Sequence, residues 1–175
     1  NDITPFRAIM NDMYAKDISK KIKSVKRDKQ RKGQFIGGKP VYGYKMHPTE
    51  KNKIVIDSEA ASIVRRIFGM ALEGMSCRQI AIQLNAEGIP TPATYAGLPV
   101  PHPGPYTGLW SSERISEMLQ NETYIGSMVQ GRSIKISYKS KKCLRQAREN
   151  WVVVENTHEP LIDRVTFEKV QVLIA

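Results

Sequence analysis

YAKDISKKIKSVKRDKQRKGQFIGGKPVYGY, residues 14–44, is the stretch that decides how this chain is organised. Nine Lys and Arg residues but only two acids lie between Lys16 and Lys32. Phe6, Met10, Met13, Tyr14, Ile18, Ile22 and Val25 recur at steps of three or four, the period of one helix face. Start and stop signals agree with a helix. Thr4 can cap the first turn, Pro5 suits the first helical position with its fixed φ, and Gly33 can take the left-handed conformation that closes a helix. The spacing predicts one helix from Pro5 to Lys32, roughly 40 Å long at about 1.5 Å per residue. After Val25 the apolar stripe stops while Lys26, Arg27, Lys29, Arg31 and Lys32 continue the charge, so the second half lacks a hydrophobic partner. Asp12 with Lys16, Asp17 with Lys21 and Asp28 with Lys32 can pair at four-residue spacing. Those pairs neutralise three bases and leave an excess suited to phosphate.

The 175 residues suffice for one ordinary core and a flanking helix, not for two full domains. The chain opens on Asn1 rather than Met and is read as a piece of a longer protein. Its net charge of +10 is unevenly spread: residues 1–45 hold twelve bases against four acids, and 131–150 hold seven against one. Two basic blocks on an otherwise balanced domain point to an extended polyanion, most commonly nucleic acid. An anionic membrane surface would need large apolar residues beside the charge, and residues 26–34 have none. Cys77 and Cys143 form no CxxC pair, so neither a disulfide framework nor a zinc site is indicated. Both are expected to be reduced thiols in a cytoplasmic protein. No apolar run approaches eighteen residues and no signal-peptide pattern occurs. No cofactor or metal is expected.

Beyond Gly33, the glycines at 37 and 38 followed by Pro40-Val41-Tyr42-Gly43-Tyr44 read as a tight loop entering a short strand, which Lys53–Ile56 can join across the turn 47–52. Asp57 is placed to cap a helix with Ile63, Ile67, Met70 and Ala71 inward, and Ser76 to cap a second with Ile80, Ala81 and Leu84 inward, closed by Gly88. Ser111–Leu119 reads as a third, capped by Ser111 or Ser112, giving a helix-turn-helix-like cluster. The connection 89–110, with six prolines, is too long for a compact motif of that kind; Trp110 is expected to staple it to the core. Tyr124–Val129 and Trp151–Val154 read as strands. Ile134, Ile136 and Tyr138 can extend a hairpin, while KSKKCLRQAR, residues 139–148, reads as mobile for want of apolar residues. Asp163 starts a last helix through Val165, Phe167, Val170 and Leu173. The fold expected is α+β: a long N-terminal basic helix, then a helical cluster packed on a small antiparallel sheet.

The order NDMYAKDISKKIKSVKRDKQRKGQFIGGKPVYGYK, VIDSEAASIVRRIF, GMSCRQIAIQLNAEGIPT, Trp110 and NETYIG resembles the large serine recombinases, the site-specific integrases and transposases of phages and mobile elements. The likeness covers nearly the whole chain. It implies that residues 1–33 are the linker helix leaving a catalytic domain and that 34–175 are the DNA-binding recombinase domain, with a zinc-bearing domain and a coiled coil beyond. It also implies double-stranded DNA as partner, self-association of the full-length protein, and a role in integration or excision. The family's serine nucleophile and phosphate-steadying arginines would lie before this helix, so the chain alone should be inactive and no catalytic residue is assigned.

Residue chemistry agrees. Ser19, Ser24, Ser111 and Ser112 have no base at activating spacing, and His47, His102 and His158 are scattered among loops. Lys20, Lys23, Arg27 and Arg31 recur at helical spacing and would face the phosphates. Lys32, Lys39, Arg78, Arg114, Arg132, Lys135, Lys139, Lys141, Lys142 and Arg145 would extend the footprint, Arg78 from a helix N-terminus whose dipole favours anions. Two rivals stay open: a stand-alone helix-turn-helix-type transcription regulator, and an RNA-binding protein, which duplex competition would separate because A-form grooves admit no helix.

Overall fold

In this computed structural model the residues described are 3–99, 107–137, 139, 140 and 142–174. Helix α1 runs Ile3–Arg31. It starts earlier than the sequence suggests, so Thr4 lies in its first turn rather than capping it. Its C-terminal end is closed by a Schellman arrangement, with Gly33 at φ +69°, Gln34 N–H donating to Lys29 O (3.0 Å) and Gly33 N–H to Gln30 O (2.9 Å). No residue of α1 is buried. Of the three anticipated acid–base pairs, Asp17–Lys21 closes at 3.0 Å, whereas Asp12 turns to Lys139 at 2.6 Å.

Strands β1 (Tyr44–Met46) and β2 (Ile54–Ile56) pair antiparallel with Tyr44 opposite Ile56. Asn52, at φ +64° in the intervening turn, donates its side-chain amide to Phe35 O (2.7 Å) and ties the loop after α1 to this ladder. Helix α2 (Ser58–Leu72) is the centre of the core, burying Ala60, Ala61, Val64, Ile67, Phe68, Met70 and Ala71 at helical spacing. Ile63, expected on that face, sits at its edge and is half-buried; Val64 and Phe68 hold the middle. Asp57 occupies the N-cap position without a side-chain cap, because its carboxylate accepts from Tyr95 Oη instead (3.1 Å).

Helix α3 (Cys77–Ala86) starts with a capping box between Ser76 and Gln79. The segment after it is not a free loop. Thr91, itself buried, caps the short helix α4 (Pro92–Tyr95), and the Tyr95 ring meets Tyr42 edge-on at 5.4 Å. Residues 100–106 of the proline-rich connection lie outside the described residues. Trp110 is the expected staple: its N–H donates to Asn85 Oδ1 (2.8 Å), its carbonyl accepts from Asn85 Nδ2 (3.0 Å), and its indole N–H donates to Ile89 O (2.9 Å). Helix α5 (Ser112–Leu119), capped by Ser111, packs on α3 with Ile115, Met118 and Leu119 buried.

Where a strand was expected from Tyr124, Asn121 caps a 3-10 turn, Glu122–Ile125, that ends at Gly126 with φ +87°. A Cβ at Gly126 would stand 2.9 Å from His158 O. The turn drives Tyr124 inward against Phe68 (5.9 Å between rings) and lets its hydroxyl donate to Tyr42 O (2.9 Å). Regular pairing therefore begins only at β3 (Met128–Gln130). Strand β4 (Ser133–Lys135) pairs with β5 (Cys143–Arg145), and β3 with β6 (Val152–Val154), all antiparallel. Among the described residues the sheet part is thus three separate two-stranded ladders. Residues 139–148, read from the sequence as mobile, contain β5; the Ile134–Leu144 cross-strand pair and the bond from Gln146 N–H to Arg132 O (2.8 Å) hold it. Helix α6 (Arg164–Ile174) closes the core, packing Phe167 and Val170 against α2.

Candidate nucleic-acid interface

The basic stripe of α1 follows from its geometry. At about 100° per residue, Lys20, Lys23, Arg27 and Arg31 fall within an arc of roughly 80°, centred opposite Ile18, Ile22 and Val25. All are exposed. Lys32 points roughly 140° away from the centre of that arc.

The second block is the β4–β5 hairpin. Its register sets Ser133 opposite Arg145, Ile134 opposite Leu144 and Lys135 opposite Cys143. Alternation along each strand therefore puts Lys135 and Arg145 on one face and Ile134 and Leu144 on the other. Lys139, beyond β4, reaches Asp12 on α1, joining the two basic blocks across the structure. Lys142 is exposed beside β5; Lys141 lies outside the described residues.

Between α5 and the base of the hairpin opens a groove of about 1060 Å³ lined by Arg114, Arg132, Arg145 and Arg148. Acids line it too: Glu113 and Glu117 on α5, and Glu122, which pairs with Arg148. Trp151 forms part of the wall, with the Arg132 guanidinium 5.0 Å and the Arg148 guanidinium 6.0 Å from its ring. The joint between α1 and this body involves Thr157, whose methyl group abuts Gly33. Thr157 Oγ1 lies 2.8 Å from His158 Nδ1, and His158 Nε2 lies 2.8 Å from Thr123 O. Burial holds the His158 imidazole below its ordinary pKa, partly opposed by the bond to the Thr123 carbonyl. Among the described residues there is no cluster of His, Cys, Asp or Glu able to hold a metal ion, and no helix long and apolar enough to cross a membrane.

Residues 58–175 match the family model described as Recombinase. The chain belongs to the Recombinase family. The matched span begins at the first residue of α2 and takes in the helical core and both later ladders. In fold the chain is similar to the structure described as "Sequence Requirements of the Listeria innocua prophage attP site", with a TM-score of 0.54 and 21% identity over 87% of this chain and 50% of that one. It also matches "Crystal Structure of a LSR-DNA Complex" at a TM-score of 0.49 and 20% identity, over 87% of this chain and 37% of that one. The chain thus spans half the length of the first of these proteins. The α+β fold expected from the resemblance to large serine recombinases is present.

Within this Recombinase-family chain the residues singled out from the sequence fall into groups. Lys20, Lys23, Arg27 and Arg31 share the α1 stripe; Arg114, Arg132 and Arg145 share the groove, and Lys135, Lys139 and Lys142 lie along the hairpin. Lys39 stands apart, its ammonium donating to Ala96 O at 3.1 Å, and Arg78 is exposed on the first turn of α3 outside the groove lining. Sequence reading missed Lys16, which lies four residues before Lys20 and falls in the same arc. It also missed Arg148, Asn121 and Trp151. The spacing Arg148–Trp151 was a usable signal, since three residues on a 3-10 turn stack one side chain over the other.

Proposed function

We propose that this chain is the sequence-specific DNA-binding part of a large serine site-specific recombinase. In the longer protein it positions a serine-nucleophile domain on attachment-site half-sites for integration and excision. The observation that carries this reading is the ion pair between Asp12 and Lys139, by which two basic blocks remote in sequence come within reach of one polyanion. The α1 stripe supplies phosphate contacts that neutralise charge without reading sequence. The arginine-lined groove beside α5 supplies donors for base edges. The exposed apolar side of α1, from Phe6 to Val25, supports subunit contacts in the full-length protein. The reading places the protein in the cytoplasm, where its duplex partner lies.

The test is fluorescence anisotropy of the chain on double-stranded DNA with duplex RNA as competitor, followed by a denaturing gel. Duplex DNA should outcompete RNA, and no protein–DNA band should survive denaturation. Equal competition by RNA, or a covalent adduct, would overturn the assignment.

A further inference from the structure

We propose that Arg132 reads a guanine edge and that Trp151 is its positioning residue; this rests on the DNA-binding reading above. Arg132 is held from three sides. Its carbonyl accepts from Gln146 N–H (2.8 Å), and the Gln146 carbonyl accepts from the Trp151 indole N–H (3.0 Å). The Trp151 ring then returns to the Arg132 guanidinium at 5.0 Å, closing the circuit. Arg132 Nη2 donates to Asn121 Oδ1 (3.2 Å), an oxygen already fixed by Thr123 N–H (3.2 Å). The side chain is nevertheless exposed and lines the groove.

Its neighbours differ. Arg148 is neutralised by Glu122. Among the described residues Arg114 and Arg145 form no ion pair and lie over no aromatic ring.

A phosphate contact needs charge and little orientation, which the α1 lysines already supply. A base contact needs a plane fixed in advance. Whichever Nη2 hydrogen Asn121 takes, one edge of the guanidinium keeps two parallel N–H donors. Guanine presents O6 and N7 as paired acceptors in the major groove, whereas adenine and cytosine each present an amino donor there. Arginine has no acceptor to meet that donor, and thymine offers one acceptor, O4, beside its methyl group, so the fixed fork selects guanine.

The experiment selects binding sites for the 175-residue chain from randomised duplexes, in parallel with Arg132→Lys, Trp151→Phe and Trp151→Leu. The wild type should enrich guanine at one position. Arg132→Lys keeps the charge but exchanges the planar fork for a flexible ammonium, and should weaken that preference alone, by up to about 5- to 150-fold, with an unchanged dependence of affinity on salt. Placing 7-deazaguanine at the position should weaken binding by the wild type more than by Arg132→Lys. Trp151→Phe, which retains a stacking ring, should keep the preference, and Trp151→Leu should lose it at the same salt slope. Arg132→Lys selecting the same guanine at the same strength overturns the inference. So does an Arg132→Gln variant that loses affinity uniformly on all duplexes with the slope reduced by about one, the mark of a phosphate contact. Wild-type chain enriching no sequence at all would instead take down the DNA-binding reading on which this one rests.

Discussion

Replacing Lys20, Lys23, Arg27 and Arg31 together by Gln removes four of the five bases of the stripe on one side of α1, leaving Lys16, and lowers the net charge from +10 to +6. The four span eleven residue steps, so the stripe is roughly 16 Å long, a length over which duplex DNA carries about ten phosphates. All four can therefore be in contact at once. If about six phosphates are neutralised in total, log K falls with log salt at a slope near −5.4, and affinity drops roughly 2000-fold between about 50 and 200 mM salt. With four contacts gone the slope should flatten to about −1.8 and the same salt change should cost only roughly 12-fold. The control is Lys21→Gln with Lys29→Gln, two charges on the opposite side of the same helix. Local contact predicts a slope change below about 0.5 for the control, whereas a general net-charge effect predicts half the change seen for the stripe. Fluorescence anisotropy titrations at five salt concentrations measure both. Equal flattening per charge removed, or an unchanged slope for the stripe variant, would refute the assignment of α1 as a DNA contact.

Three further outcomes follow from the body. Asn85→Asp leaves an acceptor for Trp110 N–H but sets a carboxylate against the Trp110 carbonyl, costing about 1–3 kcal/mol at pH 7. Because only the protonated acid can donate there, the native state holds that proton more tightly than the unfolded chain, and the deficit against wild type in urea melts should shrink as pH falls toward about 4. Gly33→Ala forces a left-handed Ala, worth about 1–2 kcal/mol, and presses its Cβ on the Thr157 methyl for about 1–3 kcal/mol more. In a Thr157→Ser background the methyl clash is relieved, leaving the first cost and the lesser contact with Val154 Cγ1 at 3.1 Å, and a double-mutant cycle showing no coupling would contradict the contact. His158, held below its ordinary pKa by burial, contributes stability that is complete above about pH 6.5 and is lost as pH falls through its depressed folded value. His158→Gln should therefore reduce the fall in melting temperature between pH 7.5 and pH 5.

The helices were legible because each has a local signature. Ser76 with Gln79 spells a capping box, Gly33 closes α1, and the α2 apolar spacing survives burial with only Ile63 displaced from the face. Trp110 was readable as a staple because a tryptophan between a proline-rich run and a capped helix has few other places to go. The strands were less legible, since each has only three residues, too few for alternation to separate them from a turn. Tyr124 shows the cost: the same run of residues serves a 3-10 turn once Asn121 caps it and Gly126 supplies a positive φ. In the hairpin, composition misled, because cross-strand pairing of Ile134 with Leu144 supports a ladder that a count of apolar residues along one strand does not reveal. The groove was partly visible as bases at Arg114, Arg132 and Arg145. Asn121 and Trp151 were not, since their role arises from a register that places them beside Arg132 and leaves no periodic trace.

The two basic elements share a construction that bears on how they meet a partner. On α1 the stripe from Lys20 to Arg31 lies opposite Ile18, Ile22 and Val25, which are 54%, 61% and 56% exposed. On the hairpin Lys135 and Arg145 lie opposite Ile134 and Leu144, exposed by 46% and 53%. Fully burying one such side chain stabilises by about 1.5–3 kcal/mol, so the fold forgoes a large gain on both elements. An amphipathic element whose apolar side is covered has only one way to present its charge. On the proposed reading, a subunit or domain packing against Ile18, Ile22 and Val25 would turn Lys20, Lys23, Arg27 and Arg31 outward together. Orientation of the phosphate-facing stripe would then be coupled to assembly, and binding to a half-site would favour the assembled state by the same free energy with which assembly favours binding.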